Sequence, residues 1–546
     1  MQKSFGNTFT YILIILAGSI FFIPFLGGVH LFDWDEVNFA EIAREMIVTN
    51  NYLQVQINFE PFFEKPPLFF WFQVLSMKIF GVNEFAARFP NAVFGIFTLL
   101  ILYKIGTTLF NPKFGFIWAL AYFGSILPHF YFRSGIIDPV FNLFIFLGIY
   151  FFVKFKWKNE NLEGILLSKT KGLYLLLGGL FIGLAILTKG PVAYLIVFLT
   201  MIVYWVSRRF KMFVSIPQFI LYSAYAGLIM LIWFGVEWMN NGPEFIIEFI
   251  VYQIRLLSTQ DAGHAGFPGY HTVVLLLGCF PASIFAIRAF YKMKLKEKHQ
   301  QDFRKWMIIL FWVVLGLFTF VSTKIVHYSS MAYFPITFLG ALTIYNILEK
   351  KITINNWMRF GVLTIGLLVS LFVMVVPFIG QNIELIKPMF ESDINGYAVL
   401  DADVNWTGWE AITGLILIAS VILFIVFEKQ DKLKHAFYSI FIGVAVFIFV
   451  GLIFYIGRIE MYSQNAYVEM AKSLEGKDAR VRTTGFKSYV QLFYTKRQAS
   501  DKAENLSDEY IFSKKHLEYY WEEKKESYEI IESKNSYLML KRKKSE

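Results

Sequence analysis

Long apolar runs alternate with short polar segments along most of the chain. A membrane-spanning helix needs about 20 consecutive apolar residues. Runs of that kind centre near residues 20, 100, 123, 146, 180, 198, 224, 280, 313, 338, 369, 418 and 446. The pattern predicts about 13 transmembrane helices. The first run, from about Phe9 to Val29, is too long for a signal peptide core and precedes no small-residue cleavage site, so we expect an uncleaved first span.

The polar segments between the runs indicate the orientation. One alternate set of loops is rich in Lys and Arg, and these loops have the sequences KFKWKNENLEGILLSKTK, SRRFK, KMKLKEKHQQDFRK, LEKKITINNWMR and EKQDKLK. Because cytoplasmic loops collect basic residues, we predict that this set and the N-terminus face the cytoplasm. An odd number of spans then places the C-terminus outside.

The first outer segment contains amphipathic stretches. In NFAEIAREMIVTNNYLQ one helical face consists of Phe39, Ile42, Ala43, Met46 and Ile47. This stretch and LFFWFQVLSMKIFG predict two helices that lie on the membrane surface, within about residues 33–80. We interpret Glu41 and Arg44 either as a solvated helix face or as an i, i+3 ion pair, and we expect Glu41→Gln to be nearly silent.

The last part of the chain is more polar than the rest. AYVEMAKSLEG predicts a helix ended by glycine, whereas ARVRTTGF, YEIIES and SYLMLKRK predict strands. We therefore predict a membrane domain over residues 1–457 and a small α/β domain outside the membrane over residues 458–546. We detect no internal repeat and no low-complexity segment.

The composition supports an α-helical polytopic membrane protein. Of the 546 residues, 56% are hydrophobic, above the roughly 45–50% of a soluble domain. The single cysteine, Cys279, excludes an intramolecular disulfide and a multi-thiolate metal site. The net charge of +10 comes with the basic cytoplasmic loops, and no basic stripe lies on a soluble segment of suitable size, so we expect no nucleic-acid partner.

Ionisable residues concentrate at the predicted outer helix ends and outer loops. They are Asp35, Glu36, Glu64, Lys65, Arg88, Arg133, Asp138, Lys189, Arg255, His264, Lys324 and His327. Basic residues are disfavoured on this side and need a local reason. Cations that converge from several helix ends are typical of a phosphate or pyrophosphate site. In the alternative interpretation, Arg88, Lys189 and Lys324 cap helix C-termini or extend to lipid head groups.

The carboxylates supply candidate chemistry. Asp35 and Glu36 are adjacent, and they repel each other unless a cation or a reacting proton uses them. Asp35 and Asp138 have the chemistry of a general base and its partner. Glu64 and His264 offer the oxygen and nitrogen ligands that a divalent metal accepts.

Four segments together carry a resemblance to a known family. They are DWDEVNFAEIAREM, NFEPFFEKPPLFFWFQVLSMKIFGVNEFAARFP, LTKGP and STKIVHY, in this order over about the first 340 residues. They resemble the bacterial polyprenyl-phosphate-sugar glycosyltransferases of the GT-C class, which include the aminoarabinose–lipid A transferases and the protein O-mannosyltransferases. FEKPPLFFW followed by NEFAARFP is specific, whereas LTKGP alone is weak.

The resemblance implies a fold and an activity. The fold has about 13 transmembrane helices, surface helices in the first outer loop and a C-terminal periplasmic domain. The activity transfers a sugar from a polyprenyl phosphate to an acceptor at the periplasmic face of the bacterial inner membrane, with inversion. The acceptor is lipid A, another envelope glycan or a protein.

The resemblance also implies residue roles. In the DE motif, Asp35 is the main catalytic carboxylate, beside Glu36, and Asp138 is the second catalytic Asp. Glu64 of the EKP motif and His264 are expected to bind a divalent metal ion, Zn²⁺, Mg²⁺ or Mn²⁺. With the cations found above, the expected ligands of the donor phosphate are Lys65, Arg88, Lys189, Arg255 and Lys324.

Three other functions are open from the sequence. A transporter or flippase of a lipid-linked or anionic substrate would place ionisable groups near mid-membrane and show repeat symmetry. A receptor or structural membrane protein would use the outer charges only to order its loops. An oligosaccharyltransferase of the same class would carry a WWDYG-type signature, which is absent.

Overall fold

The computed structural model describes residues 2–162, 164–165, 167, 169–258, 266–477, 479–498 and 508–543. In chain order its α-helices are α1 (Gln2–Phe22), α2 (Asp35–Thr49), α3 (Leu68–Phe80), α4 (Glu84–Leu109), α5 (Pro112–Phe123), α6 (Ile126–Tyr131), α7 (Asp138–Asn159), α8 (Lys171–Lys189), α9 (Val192–Ser207), α10 (Ile216–Asn241), α11 (Glu244–Ser258), α12 (Tyr270–Gly278), α13 (Ala282–Phe290), α14 (Lys298–Phe320), α15 (Tyr333–Leu348), α16 (Asn356–Gln381), α17 (Ile394–Val399), α18 (Ile412–Lys429), α19 (Leu433–Gly451), α20 (Gly457–Ser463), α21 (Asn465–Lys472), α22 (Val490–Thr495) and α23 (Glu518–Glu523). The strands are β1 (Gln56–Ile57), β2 (Glu60–Pro61), β3 (Ala479–Thr483), β4 (Asp508–Lys514), β5 (Tyr528–Lys534) and β6 (Tyr537–Arg542).

The helices form a multi-pass membrane protein. Within the described ranges, nine helical segments are long and apolar enough to cross a membrane. The run predicted near residue 280 is instead a bent pair, α12 and α13, which meet at 116°. Pro281 lies in the break and has no backbone N–H to continue the first helix. The run predicted near residue 123 consists of the short helices α5 and α6. The helical class is confirmed, but the number of 13 spans is not.

Helices α7 and α8 bring two predicted site residues together. The two helices follow one another in the chain and pack side by side, so the start of α7 lies beside the end of α8. Asp138 begins α7, where the helix dipole favours an anion, and Lys189 ends α8, where it favours a cation.

Gly190 follows Lys189 with φ +123°, and a Cβ there would lie 2.7 Å from the ring of Phe249. The LTKGP motif therefore needs glycine at this position.

Helix α2 forms where it was predicted but is more deeply buried than a surface helix. Its residues from Glu36 to Met46 are all buried, including Glu41 and Arg44. The reason is that α3 and β1 of the first outer segment and α22 of the C-terminal part all pack on α2. Arg44 donates to both oxygens of Glu41 at 2.6 and 2.7 Å and to the carbonyl of Arg497 at 2.7 Å. The predicted i, i+3 ion pair is therefore present, and the alternative prediction of a solvated helix face is wrong. Because the pair is buried, the prediction that Glu41→Gln is nearly silent no longer holds.

The C-terminal part contains a four-stranded sheet with strand order β3-β4-β6-β5. Strands β3 and β4 are parallel, and the other neighbours are antiparallel. Strands β3, β5 and β6 match the predicted strands, whereas β4 was not predicted. The small C-terminal α/β unit is confirmed. The boundary between residues 457 and 458 stays a prediction, and α20 continues from the last long helix across it.

Candidate active site

A cavity of about 820 Å³ lies where the start of α2, the EKPP loop, the start of α7 and the end of α8 meet. The link between α14 and α15 and one loop of the C-terminal part close it. The predicted site residues on its wall are Asp35, Glu36, Glu64, Lys65, Asp138, Lys189 and Arg255. These residues are up to 220 positions apart in the chain, yet the fold gathers them around one space.

Asp35 is a partly exposed carboxylate of this cavity. It is the first residue of α2, and its side chain is 32% exposed. The Nε2 atom of His327 lies 3.8 Å from Asp35 Oδ2. This arrangement leaves the carboxylate open to a substrate hydroxyl and places an imidazole next to it. Both features suit a general base.

Asp138 and Lys189 form a close ion pair on the wall. Lys189 Nζ lies 2.6 Å from Asp138 Oδ1, and Asp138 is buried. The other oxygen, Oδ2, is also buried and has no hydrogen-bond partner within the described part of the chain. Because buried polar atoms are nearly always partnered, this oxygen is suited to accept a hydrogen bond from a bound ligand.

Lys65 and Arg255 both lie over one aromatic ring, that of Tyr252. Lys65 Nζ is 4.9 Å from the centre of the Tyr252 ring, and the guanidinium carbon of Arg255 is 5.2 Å from it. Burial lowers the pKa of Lys65, and the negative charges of Glu64 and Asp35 counteract this only in part. Two cations of the predicted phosphate site are therefore adjacent, on the EKPP loop and on α11.

Glu36 and Arg88 form a second buried ion pair, and both side chains are occupied by hydrogen bonds within the protein. Arg88 donates to the two oxygens of Glu36 at 2.7 and 3.0 Å, and the amides of Phe32 and Gly135 donate to the same carboxylate. Burial opposes ionisation of Glu36, but the charge and hydrogen bonds of Arg88 lower its pKa below the ordinary value. Arg88 also donates to the carbonyls of Leu26, Val29 and His30. This geometry assigns the pair to holding the first loop, and it gives no support to the catalytic role predicted for Glu36 or the phosphate role predicted for Arg88.

Lys324 also binds groups of the protein itself, backbone carbonyls that lie shortly before it in the chain. Its Nζ donates to the carbonyls of Phe318 and Thr319, at 3.1 and 2.7 Å, and to that of Val321. These carbonyls belong to the end of α14 and the residues that follow it. Lys324 is thus a cap of the α14 C-terminus, the alternative interpretation given above.

The metal prediction concerns Glu64 and His264. Glu64 lines the cavity, but His264 lies outside the described residues. Over the described ranges, no group of three His, Cys, Asp or Glu side chains is arranged to hold a metal ion. One carboxylate does not make a metal site, so the described donors alone do not fit one. The Glu64–His264 metal stays a prediction.

Some residues of the cavity wall were not predicted. His327 was grouped with the outer ionisable residues but given no role, and Trp34, Tyr252, Tyr328 and Lys487 were not singled out. Trp34 and His327 lie inside the quoted motifs DWDEVNFAEIAREM and STKIVHY, so a signal for them existed. Lys487 belongs to the C-terminal part and carries no motif, so only the fold reveals its place.

Comparisons with known proteins agree with the resemblance. The family model described as dolichyl-phosphate-mannose-protein mannosyltransferase matches residues 64–238. An undecaprenyl phosphate-α-4-amino-4-deoxy-L-arabinose arabinosyl transferase of Pectobacterium carotovorum subsp. carotovorum (strain PC1) is 21% identical over 429 residues, which cover 76% of this chain and 73% of that protein. The protein of the same name from Photorhabdus laumondii is 28% identical over 311 residues, covering 55% and 52%.

Solved structures show the same fold. ArnT from Cupriavidus metallidurans, in a crystal structure with undecaprenyl phosphate bound, has a TM-score of 0.75 at 14% identity, with 97% of each chain covered. The archaeal oligosaccharyltransferase AglB from Archaeoglobus fulgidus has a TM-score of 0.51 at 10% identity, covering 94% of this chain and 70% of that one. Nothing in these comparisons favours a transporter. The chain therefore has the fold of ArnT and is similar in sequence to the aminoarabinose transferases, which agrees with the predicted resemblance.

Proposed function

We propose that the protein is a glycosyltransferase that moves a sugar from a polyprenyl phosphate to an acceptor at the outer face of a bacterial inner membrane. The observation that carries this proposal is one cavity in which Asp35 and Asp138 meet Lys65, Lys189 and Arg255. The names of the relatives, arabinosyl transferases that act with undecaprenyl phosphate, support the donor class.

The cations suit the leaving group. When the bond between the sugar and the phosphate oxygen breaks, the phosphate takes the bonding electron pair and gains negative charge. Lys65, Lys189 and Arg255 are arranged on the cavity wall to stabilise that charge, and such stabilisation is usually the largest catalytic contribution. The planar guanidinium of Arg255 is suited to hold two phosphate oxygens at once.

Asp35 suits the acceptor side. The acceptor hydroxyl attacks the anomeric carbon, its proton passes to Asp35, and the new C–O bond forms as the bond to phosphate breaks. One displacement of this kind inverts the anomeric centre. The buried, unpartnered Oδ2 of Asp138 is a hydrogen-bond acceptor for a sugar hydroxyl, with Lys189 holding the other oxygen. No step in this mechanism requires Glu36.

The orientation and the acceptor belong to the same proposal. The basic loops predict that the cavity side faces away from the cytoplasm. Lipid A, another envelope glycan and a protein are the acceptor classes considered. A divalent metal bound by Glu64 and His264 would add further positive charge near the phosphate.

A transfer assay tests the proposal. Purified full-length protein in lipid nanodiscs is supplied with a panel of polyprenyl-phosphate sugars and crude envelope lipids and proteins, with and without a chelator, and products are followed by mass spectrometry. We expect consumption of one donor and a new glycosylated product. Chelator sensitivity would support the metal, and folded protein that consumes no donor would contradict the proposed function.

A further inference from the structure

The C-terminal part supplies a piece of the cavity wall. Residues 487–489, which precede α22, lie against residues 33–35 at the start of α2. Burial raises the pKa of Asp33 to about 6, and the nearby Ser488 hydroxyl acts in the opposite direction. The rings of Trp34 and Tyr489 are 5.5 Å apart, and Lys487 Nζ lies 4.9 Å from the Trp34 ring. Both Trp34 and Lys487 line the cavity.

Other contacts fix this wall in place without Lys487. The hydroxyl of Tyr494 accepts from the amide of Leu31 at 2.8 Å. Gln464 accepts from the amide of Asp33 at 3.0 Å and donates to the carbonyl of Leu31 at 2.8 Å. Replacing Lys487 therefore leaves the contact between the first loop and the C-terminal part intact.

Lys487 differs from Lys65 and Lys189 in its partners. Lys189 is paired with Asp138 at 2.6 Å, and Lys65 lies beside Glu64 and Asp35. Lys487 is exposed, and its contacts in the described structure are with the rings of Trp34 and Tyr489, not with a carboxylate. Its charge is available to a ligand in the cavity.

The position of Lys487 indicates which ligand it meets. The donor-phosphate cations lie on the EKPP loop, α8 and α11, whereas Lys487 lies on the C-terminal part. The charged groups that act most strongly on Lys65 are Glu64, Asp35, Lys189 and Asp138. Lys487 lies over Trp34, the residue directly before the proposed base Asp35. An anion held by Lys487 would therefore lie on the Trp34 side of the cavity, next to the turn that carries the proposed base Asp35.

We propose that Lys487 is a specificity-determining residue that binds a negatively charged group of the acceptor, a phosphate or a carboxylate, beside Asp35. This inference rests on the proposed function, because it assigns one wall of the same site to the acceptor. It also makes acceptor choice a property of the C-terminal part, whereas donor binding belongs to the membrane bundle.

The test uses full-length protein in phosphatidylcholine nanodiscs with the donor that wild type consumes. Envelope-lipid extract is the acceptor probe, and half-saturation is measured separately for extract and donor. Lys487→Glu should raise half-saturation by the extract about tenfold or more and Lys487→Ala by several-fold, because a charge-assisted hydrogen bond is lost. Lys487→Arg should have the half-saturation concentration of wild type for the extract. The half-saturation concentration for the donor should be the same in all these variants.

Lys525→Glu is the matched control, because Lys525 is an exposed lysine of the C-terminal part that does not line the cavity. Extract treated with phosphatase and extract with esterified carboxylates distinguish the two anions. The treatment that raises the half-saturation concentration of wild type to that of Lys487→Ala identifies the acceptor group as a phosphate or as a carboxylate.

The inference would be overturned, and the proposed function would stand, if Lys487→Glu had the same half-saturation concentration for the extract as wild type. The same holds if only its half-saturation concentration for the donor changed. Insensitivity of wild type to both treatments would do the same. Failure of wild type to consume any donor would overturn the proposed function, and the inference with it.

Discussion

Two adjacent carboxylates at the start of α2 have opposite surroundings. Glu36 is buried, and Arg88 and two backbone amides fill its oxygens. Asp35 points into the cavity, is about one-third exposed and has His327 at 3.8 Å. A carboxylate whose acceptor sites are filled stabilises structure, whereas one that remains accessible is able to take a proton. Neighbouring acids in one motif therefore have separate tasks.

The same contrast extends along the cavity wall. Asp138 keeps one buried oxygen without a partner in the described structure, whereas Glu41 has both oxygens bound to Arg44. Residues of the first kind are expected to matter for turnover and residues of the second kind for stability.

The largest effect is expected for Asp35→Asn. The amide cannot accept the acceptor proton, so the transfer rate should fall about 10²–10⁴-fold. Because Asp35 is partly exposed, the thermal midpoint should hardly change. The measurement is transfer by mass spectrometry together with thermal unfolding in the same nanodiscs. Glu522→Gln, at an exposed position of α23, is the control. Full activity of Asp35→Asn would remove Asp35 as the base.

Glu36→Gln tests the other side of the comparison. It leaves Arg88 buried without its counter-charge, so the protein should lose about 3–5 kcal/mol of stability. The measurement is thermal unfolding. The double variant with Arg88→Met should recover part of the loss, because no buried charge remains. Unchanged stability with a large fall in turnover would reverse the assignment and return Glu36 to catalysis.

A smaller effect is expected for Glu41→Gln. Arg44 would keep its bond to the Arg497 carbonyl but lose a buried charged partner, at a cost of about 1–3 kcal/mol. The comparison variant is Glu475→Gln, which removes an exposed pair with Lys496 and should cost at most about 1 kcal/mol. Equal unfolding midpoints for the two variants would contradict the burial of α2.

The smallest effect concerns pH. Burial lowers the pKa of Lys65, so this lysine loses its proton at a lower pH than an ordinary lysine. Transfer that needs its positive charge should therefore decline as the pH rises through that lowered pKa. Lys65→Arg keeps its charge over the whole range, and its alkaline limb should lie at higher pH. Coincident alkaline limbs, measured as transfer rate against pH, would show that the charge of Lys65 is not needed.

The fold was predictable to the level of its elements. Apolar runs placed most of the long helices because a bilayer requires about 20 apolar residues per span. The runs near 123 and 280 failed as single spans, because hydropathy does not detect a bend such as the one beside Pro281. Strand β4 was missed because Tyr510, Ile511, Phe512 and Ser513 are all buried, so the strand lacks the alternation of a half-exposed one.

The candidate site was predictable as a set of residues but not as a set of contacts. Asp35, Asp138, Lys65, Lys189 and Arg255 were predicted and line one cavity. Glu36, Arg88 and Lys324 satisfied the same criterion, an unusual charge at an outer helix end, yet Glu36 and Arg88 pair with each other and Lys324 binds the carbonyls at the end of α14. No spacing in the sequence separates these two groups, because ion pairs such as Arg88 with Glu36 and Lys189 with Asp138 join distant parts of the chain.

Apolar runs, basic loops and local motifs are properties of short segments, so the sequence was sufficient to predict the membrane character, the helical fold class and the motif residues. The tertiary structure was needed to show which charged side chains are paired within the protein and which are accessible to a substrate. Those outcomes depend on contacts across long separations, such as Arg88 with Glu36, Lys189 with Asp138, and Lys487 with Trp34. Such contacts set the desolvation and the pairing of each group, and these decide whether it stabilises the fold or meets a substrate.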